Sequence, residues 1–263
     1  MNPLRSRGDR ASMSLPLVNR RTMVAGLAMG IASPLFAAPP QPLRAIAFDA
    51  FPIFDPRSIA TLARERLGEK GDALAVAWSA KLFGYGWLET AAGRYTPFAT
   101  LADAALRHSA EAIGIALDDA TRLALVAQYG RLDLWPDVKP ALAKLRAAGL
   151  RLVFLSNLGE ATLRANIERG GIGHLFDAVL STDRVRAFKP APRAYHMAME
   201  ALHLPRGAIG FAAFGGWDAV GATWFGYPTA WVNRAGAPAE PLGAAPAVTG
   251  RGMESVLALA GLR

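Results

Sequence analysis

The sequence predicts a doubly wound, Rossmann-like α/β fold with an all-helical cap inserted after the first strand. Three observations predict it. Short, almost continuous apolar runs alternate with segments whose apolar residues recur every three to four positions. Such runs are too apolar for a half-solvated sheet and imply parallel strands covered on both faces. From about residue 56 to 135 the alternation stops, and only helical spacing is found.

The elements follow in order. "AIAF" (45–48) is the first strand, "LRLVFLS" (150–156) the second, "AIGFAAF" (208–214) and "TAWVN" (229–233) two more, with a weaker strand at "DAVLS" (177–181). Between them, "PDVKPALAKLRAAGL" opens with Pro136 and ends at Gly149, "EATLRANIERGG" ends on glycines, and "APRAYHMAMEALHL" carries an apolar stripe, so each reads as a helix. The insertion holds four helical patterns: "SIATLARERLG", "DALAVAWSAKLFGYGWLE", "TLADAALRHSAEAIG" and "DDATRLALVAQYG". The expected organisation is therefore a core of residues 43–55 and 136–263 with a cap at 56–135. A cap leaving directly after the first strand lies over the carboxyl ends of the strands, the edge where doubly wound sheets bind ligands. The Ala/Pro/Gly-rich "AGAPAEPLGAAPA" reads as a surface loop.

Composition narrows the function. The chain has 263 residues, 52% hydrophobic and 19% charged, enough to bury a large core. Its net charge is +8, but five arginines and one aspartate fall in residues 1–38, leaving 24 basic and 20 acidic side chains beyond. That small excess, without a basic run, speaks against a nucleic-acid partner. The absence of cysteine removes disulfides, thiolate nucleophiles and thiolate metal ligands. The four histidines (His108, His174, His196 and His203) have no carboxylate at metal-ligand spacing, so no zinc site is expected.

Residues 1–38 read as an export signal. Arg20 and Arg21 precede an uncharged apolar run from Thr22, broken by Pro34 and ending on small residues at Ala37 and Ala38. The order basic, apolar, small is that of a cleaved signal, and the arginine pair resembles a twin-arginine leader. The run is short for a spanning helix, which needs about 20 apolar residues. A periplasmic or otherwise exported protein is expected, touching membrane only through this signal.

Polar residues gather at the strand ends. The first strand ends in Asp49, the second in Ser156 and Asn157; "FGG" leads into Trp217 and Asp218, and Lys189 follows the weaker strand. Each has an ordinary use: a turn former, a cap, a surface charge, the first turn of a helix. Together, two carboxylates, a hydroxyl, an amide and an ammonium at one sheet edge could attack an electrophile and stabilise charge.

"FDAFPIFD", "FLSNLGE", "FKPAPRAY" and "GGWDAVGATWFGYPTAWVNR" resemble the four ordered motifs of the haloacid dehalogenase superfamily, most closely its L-2-haloacid dehalogenase branch. The resemblance implies a hydrolase acting on the carbon–halide bond of a small 2-haloalkanoic acid, without metal or other cofactor, and a possible homodimer. It implies that Asp49 is the nucleophile and forms an aspartyl ester. Ser156 would hold the substrate carboxylate with Asn157 beside it, and Lys189 would pair with the nucleophile. Tyr195 and Trp217 would lie in the substrate pocket, and Asp218 would orient the lysine and the hydrolytic water. The superfamily's phosphatases carry a second aspartate two residues after the nucleophile; here that residue is Phe51, which cannot protonate a leaving oxygen.

The chain departs from the branch at four positions. Ile53 stands where a threonine is usual, Ser79 follows Trp78 where an arginine receives the halide, and Ala213 and Gly215 replace a serine and an asparagine. Lys81 is two residues from Ser79 on a helix and would point about 200° away from it. These losses define a second reading, a non-catalytic or altered-substrate member of the fold that binds a small ligand outside the cytoplasm. Trp78, Phe83, Tyr85 and Trp87 read chiefly as cap core.

Overall fold

The computed structural model describes residues 42–262. The export-signal reading lies outside the described residues.

Six parallel strands form one sheet in the order β3-β2-β1-β4-β5-β6: β1 (Ala45–Phe48), β2 (Arg151–Ser156), β3 (Ala178–Ser181), β4 (Ile209–Ala213), β5 (Thr229–Val232) and β6 (Val248–Gly250). Strand order reverses beside β1, with β2 on one side and β4 on the other. Alternate residues serve opposite faces, as the two-residue repeat of a strand requires. Ile46 and Phe48 of β1 join Leu152 and Phe154 in one core; Ala45 and Ala47 join Val153 and Leu155 in the other. All eight side chains are fully buried.

Helices α5 (Val138–Ala147), α6 (Glu160–Gly170), α7 (Pro192–Leu202), α8 (Gly216–Phe225) and α9 (Glu254–Leu259) complete the core layers. The fifth expected strand is present, and a sixth, β6, was not expected. β6 has three residues after the Pro/Gly-rich loop, too few to show a period.

The cap consists of α1 (Arg57–Leu67), α2 (Lys70–Ala91), α3 (Phe98–Ala112) and α4 (Asp119–Ala127). α1 and α2 approach so closely at Gly71 that a Cβ there would stand 2.3 Å from the Ala63 carbonyl oxygen. Trp78 of α2 is buried, donates its indole N–H to the Ala102 carbonyl at 2.7 Å and packs edge-on against Tyr129. The two chain segments joining cap to core pair with each other. Phe54 bridges Leu134, and the Asp55 N–H donates to the Asp133 carbonyl at 2.8 Å. Tyr95 donates to Asp183, and Thr90 accepts the Phe188 N–H at 3.0 Å, tying the far side of the cap to the core.

Candidate active site

Each strand that neighbours β1 delivers one polar group to its carboxyl end. Asp49 is the first residue beyond β1, and its N–H extends the sheet ladder to the Ala212 carbonyl at 3.0 Å. Ser156 is the last residue of β2, with its hydroxyl 3.4 Å from Asp49 Oδ1. Asp218 lies in the first turn of α8, just beyond β4, where the amino end of a helix favours negative charge. Lys189 comes from the loop after β3. Its Nζ donates to Asp49 Oδ1 at 2.8 Å and to Asp218 Oδ2 at 2.6 Å. Asn157 fixes the lysine from behind by accepting its backbone N–H at 2.9 Å. The Tyr195 hydroxyl donates to Asp218 Oδ1 at 2.7 Å.

The turn after Asp49 is held from outside. Ala50 accepts the N–H groups of Ile53 and Phe54 at 3.1 and 2.8 Å. Phe51, Pro52 and Ile53 give their carbonyls to the Trp135 indole, the Arg234 guanidinium and the Trp135 N–H at 2.9, 3.0 and 3.2 Å. Three outward anchors make the turn a rigid support, and the Phe51 N–H donates back to Asp49 Oδ2 at 3.2 Å.

Charge in the site is arranged around the lysine. Burial is the largest influence on Lys189 and pulls its pKa down, but the two carboxylates outweigh it, and the net shift is upward. Burial pushes the Asp218 carboxyl up to about 6, with the Asp49 charge adding to it and Lys189 and Tyr195 opposing it. Burial and then the Asp218 charge raise the Tyr195 phenol, so it stays protonated and a donor.

Asp49, Ser156, Asn157 and Trp217 line a cavity of about 620 Å³ between the sheet edge and the cap. Lys189 and Asp218 are each about 1% exposed and stand behind Asp49, not in the wall. Tyr195 was expected in the pocket, and the structure corrects this. Its ring is fully buried beneath the sheet, against Phe211 and Tyr227, because its hydroxyl must reach Asp218 from the α7 side. Phe83 and Trp78, read chiefly as cap core, both line the cavity.

The four departures separate by position. Ile53 and Ala213 are fully buried in the two cores and do not line the cavity. Ser79 and Gly215 do line it. The Trp217 ring covers Gly215 so closely that a Cβ there would stand 2.7 Å from the indole nitrogen. Neither Lys81, whose ammonium lies over the Tyr85 ring, nor Arg94, beside Glu89, is in the wall. The arginine among the lining residues is Arg57, which sequence reading missed. It is bound to Asp55 at 2.6 Å and lies 4.5 Å from the centre of the Trp135 ring. Nothing in the helical spacing of α1 marks it, because its place depends on the direction in which the cap leaves the core.

Comparison with known proteins agrees with this geometry. A family model described as haloacid dehalogenase-like hydrolase matches residues 44–211. An (S)-2-haloacid dehalogenase of Pseudomonas sp. (strain YL) is 36% identical over 205 residues, covering 78% of this chain and 88% of its own. The solved L-2-haloacid dehalogenase RSc1362 superposes with a TM-score of 0.82 at 37% identity, over 84% of this chain and 100% of its own. The L-2-haloacid dehalogenase of Xanthobacter autotrophicus, solved with chloropropionic acid covalently bound, gives a TM-score of 0.74 at 28% identity, covering 82% and 98%. With its six-stranded parallel sheet, inserted helical cap and carboxylate–lysine–carboxylate site, the chain belongs to the haloacid dehalogenase-like hydrolases, on the side of the L-2-haloacid dehalogenases.

Proposed function

We propose that this chain is a hydrolase of (S)-2-haloacid dehalogenase type, with Asp49 as its nucleophile. The observation that carries the reading is the unequal loading of the Asp49 carboxylate. Oδ1 faces the Lys189 ammonium at 2.8 Å and the Ser156 hydroxyl at 3.4 Å, whereas Oδ2 has one long bond from the Phe51 N–H. Oδ2 keeps the freer lone pairs and is the oxygen that attacks.

In the first step Oδ2 forms a bond to C2 of the acid as the carbon–halogen bond breaks, and the halide leaves with the bonding pair. Oδ1 becomes the carbonyl oxygen of the ester, already beside the ammonium. Water then adds to the aspartyl carbonyl carbon, and negative charge develops on Oδ1, where Lys189 stabilises it without rearrangement. The bond from that carbon to the substrate oxygen breaks; the departing 2-hydroxy acid takes one water proton and the other passes to solvent. That Ser156 and Asn157 both lie in the wall supports their part in holding the substrate carboxylate, Ser156 by a hydroxyl whose contact with Asp49 is long at 3.4 Å. Asp218 has both oxygens engaged, by Lys189 and Tyr195, so it acts by holding the lysine. The Lys189 ammonium stands between the two carboxylates and is the positive charge that keeps both ionised side by side.

The name of the Pseudomonas relative and the covalent adduct of the Xanthobacter enzyme support this reading. Incubating the protein with (S)-2-chloropropanoate and assaying free chloride tests it. Chloride release that disappears in Asp49→Asn is expected; a folded protein that releases no halide from any 2-haloacid would sink it. The leader-like pattern of residues 1–38 supports action outside the cytoplasm, which a reporter fused after Ala38 would test.

A further inference from the structure

We infer that the site is shaped for 2-halo acids carrying a bulky, preferably aromatic, substituent at C2, an inference that rests on the dehalogenase reading and deepens it. The cavity measures about 620 Å³. Cavities of ~300–1,000 Å³ enclose drug-sized ligands, and a halopropanoate, with about six non-hydrogen atoms, would leave most of this one unfilled.

The walls also suit an apolar ring. Phe51, Phe83, Phe214 and Trp217 surround the space above Asp49. Phe51 and Phe214 meet edge to face at 5.8 Å, and Phe83 packs on Trp217 at 5.4 Å. These are faces and edges against which another aromatic ring packs favourably. α1 and α2 contribute Ala60 and Ala75 to the lining, short side chains that take up little of the volume. The charged groups there are already matched. Arg57 is bound to Asp55 at 2.6 Å and Asp72 to Arg64 at 2.8 Å, so neither calls for a charge on the far end of a ligand.

The two polar positions lost from the wall belong to the same pattern. At Gly215 the Trp217 indole takes the place of a side chain, and at Ser79 a short hydroxyl leaves room where an arginine would extend. Both changes exchange polar reach for apolar surface or space, which weakens the hold on a small, polar haloacid and favours a larger apolar one.

The test compares kcat/KM for (S)-2-bromo-3-phenylpropanoate and (S)-2-bromopropanoate, which share the same reacting carbon and leaving group. Burial of the phenyl group should favour the larger acid by about 10- to 100-fold, the value for enclosing a large apolar side chain. Ala75→Phe, checked for folding by its thermal melt, should lower that ratio by about tenfold as the added ring takes up cavity volume. Equal or better turnover of bromopropanoate, or a ratio untouched in Ala75→Phe, would overturn the inference while the dehalogenase reading stood. If neither acid released bromide, that reading would fall instead. Calorimetry of the wild-type protein with 3-phenylpropanoate and propanoate decides the inference in that event: at least tenfold tighter binding of the phenyl acid upholds it, and equal affinity ends it.

Discussion

Lys189 and Asp218 meet at 2.6 Å, with both side chains about 1% exposed. The same ammonium reaches Asp49 at 2.8 Å, so one buried positive charge serves two carboxylates. The group as a whole carries an excess negative charge, and only its Asp49 end meets the cavity. Its stability, its titration and its chemistry are therefore linked through the lysine.

Removing that lysine should be costly. Lys189→Met leaves two carboxylates facing each other without a cation, and breaking a buried pair from one side costs about 3–5 kcal/mol. Urea unfolding at pH 7.5 should show this loss. A carboxyl whose folded pKa is raised holds its proton more tightly when folded, so the variant should recover stability as pH falls through that raised value. A cost below about 1 kcal/mol, or one unchanged between pH 7.5 and 5, would contradict the arrangement.

Activity should follow the Asp218 proton. Burial sets its pKa at about 6, and the ionised form is the one that holds Lys189, so kcat/KM should rise with pH through about 6. Tyr195→Phe removes a buried donor that favours the ionised form. A hydrogen bond to a charged group contributes about 1.5–3 kcal/mol, so the acid limb should move up by roughly 1–2 pH units. A limb that stays in place would show that a different group titrates.

Ser79 can be tested by restoring charge. It lines the cavity, at the position where the resemblance to the dehalogenase branch implies a halide-receiving arginine. One preorganised donor to developing charge is worth about 100- to 1,000-fold in rate. Ser79→Arg should accordingly raise halide release from (S)-2-chloropropanoate by about 100-fold, measured as initial rate. No gain in a folded variant would mean that the halide departs toward another part of the wall.

Gly215 makes a structural prediction. With the Trp217 indole 2.7 Å from the site of a Cβ, and Phe83 and Trp87 packed on that indole at 5.4 and 5.5 Å, Gly215→Asn must displace three rings. The expected cost is about 1–3 kcal/mol, with a shift in tryptophan emission. An unchanged melt and spectrum would show that Trp217 turns aside freely.

Much of this was legible in the order of residues. Asp49, Ser156 and Asp218 could be placed because each ends a buried apolar run or opens the following helix, and parallel strands bring such ends to one edge. Lys189 could be placed because its loop follows a strand of the same sheet. Tyr195 was harder. Helical spacing shows that it belongs to a buried stripe but not which side of the sheet that stripe faces, and the side decides between cavity wall and support for Asp218. Arg57 and Phe83 reach the cavity only because the paired hinge segments at Phe54 and Leu134 turn the cap over the sheet, a tertiary fact with no local pattern. The short edge strand β6 depends on β5 for its form and has no period of its own.

An ester at Asp49 that water opens at the aspartyl carbonyl leaves an isotopic signature. A single turnover with excess protein and (S)-2-chloropropanoate in oxygen-18 water, followed by mass analysis of product and of the peptide holding Asp49, reads that signature. Unlabelled 2-hydroxypropanoate and one heavy oxygen on Asp49 are expected. Heavy oxygen in the first-turnover product, with Asp49 unlabelled, would mean that water attacks C2 itself and that no aspartyl ester forms.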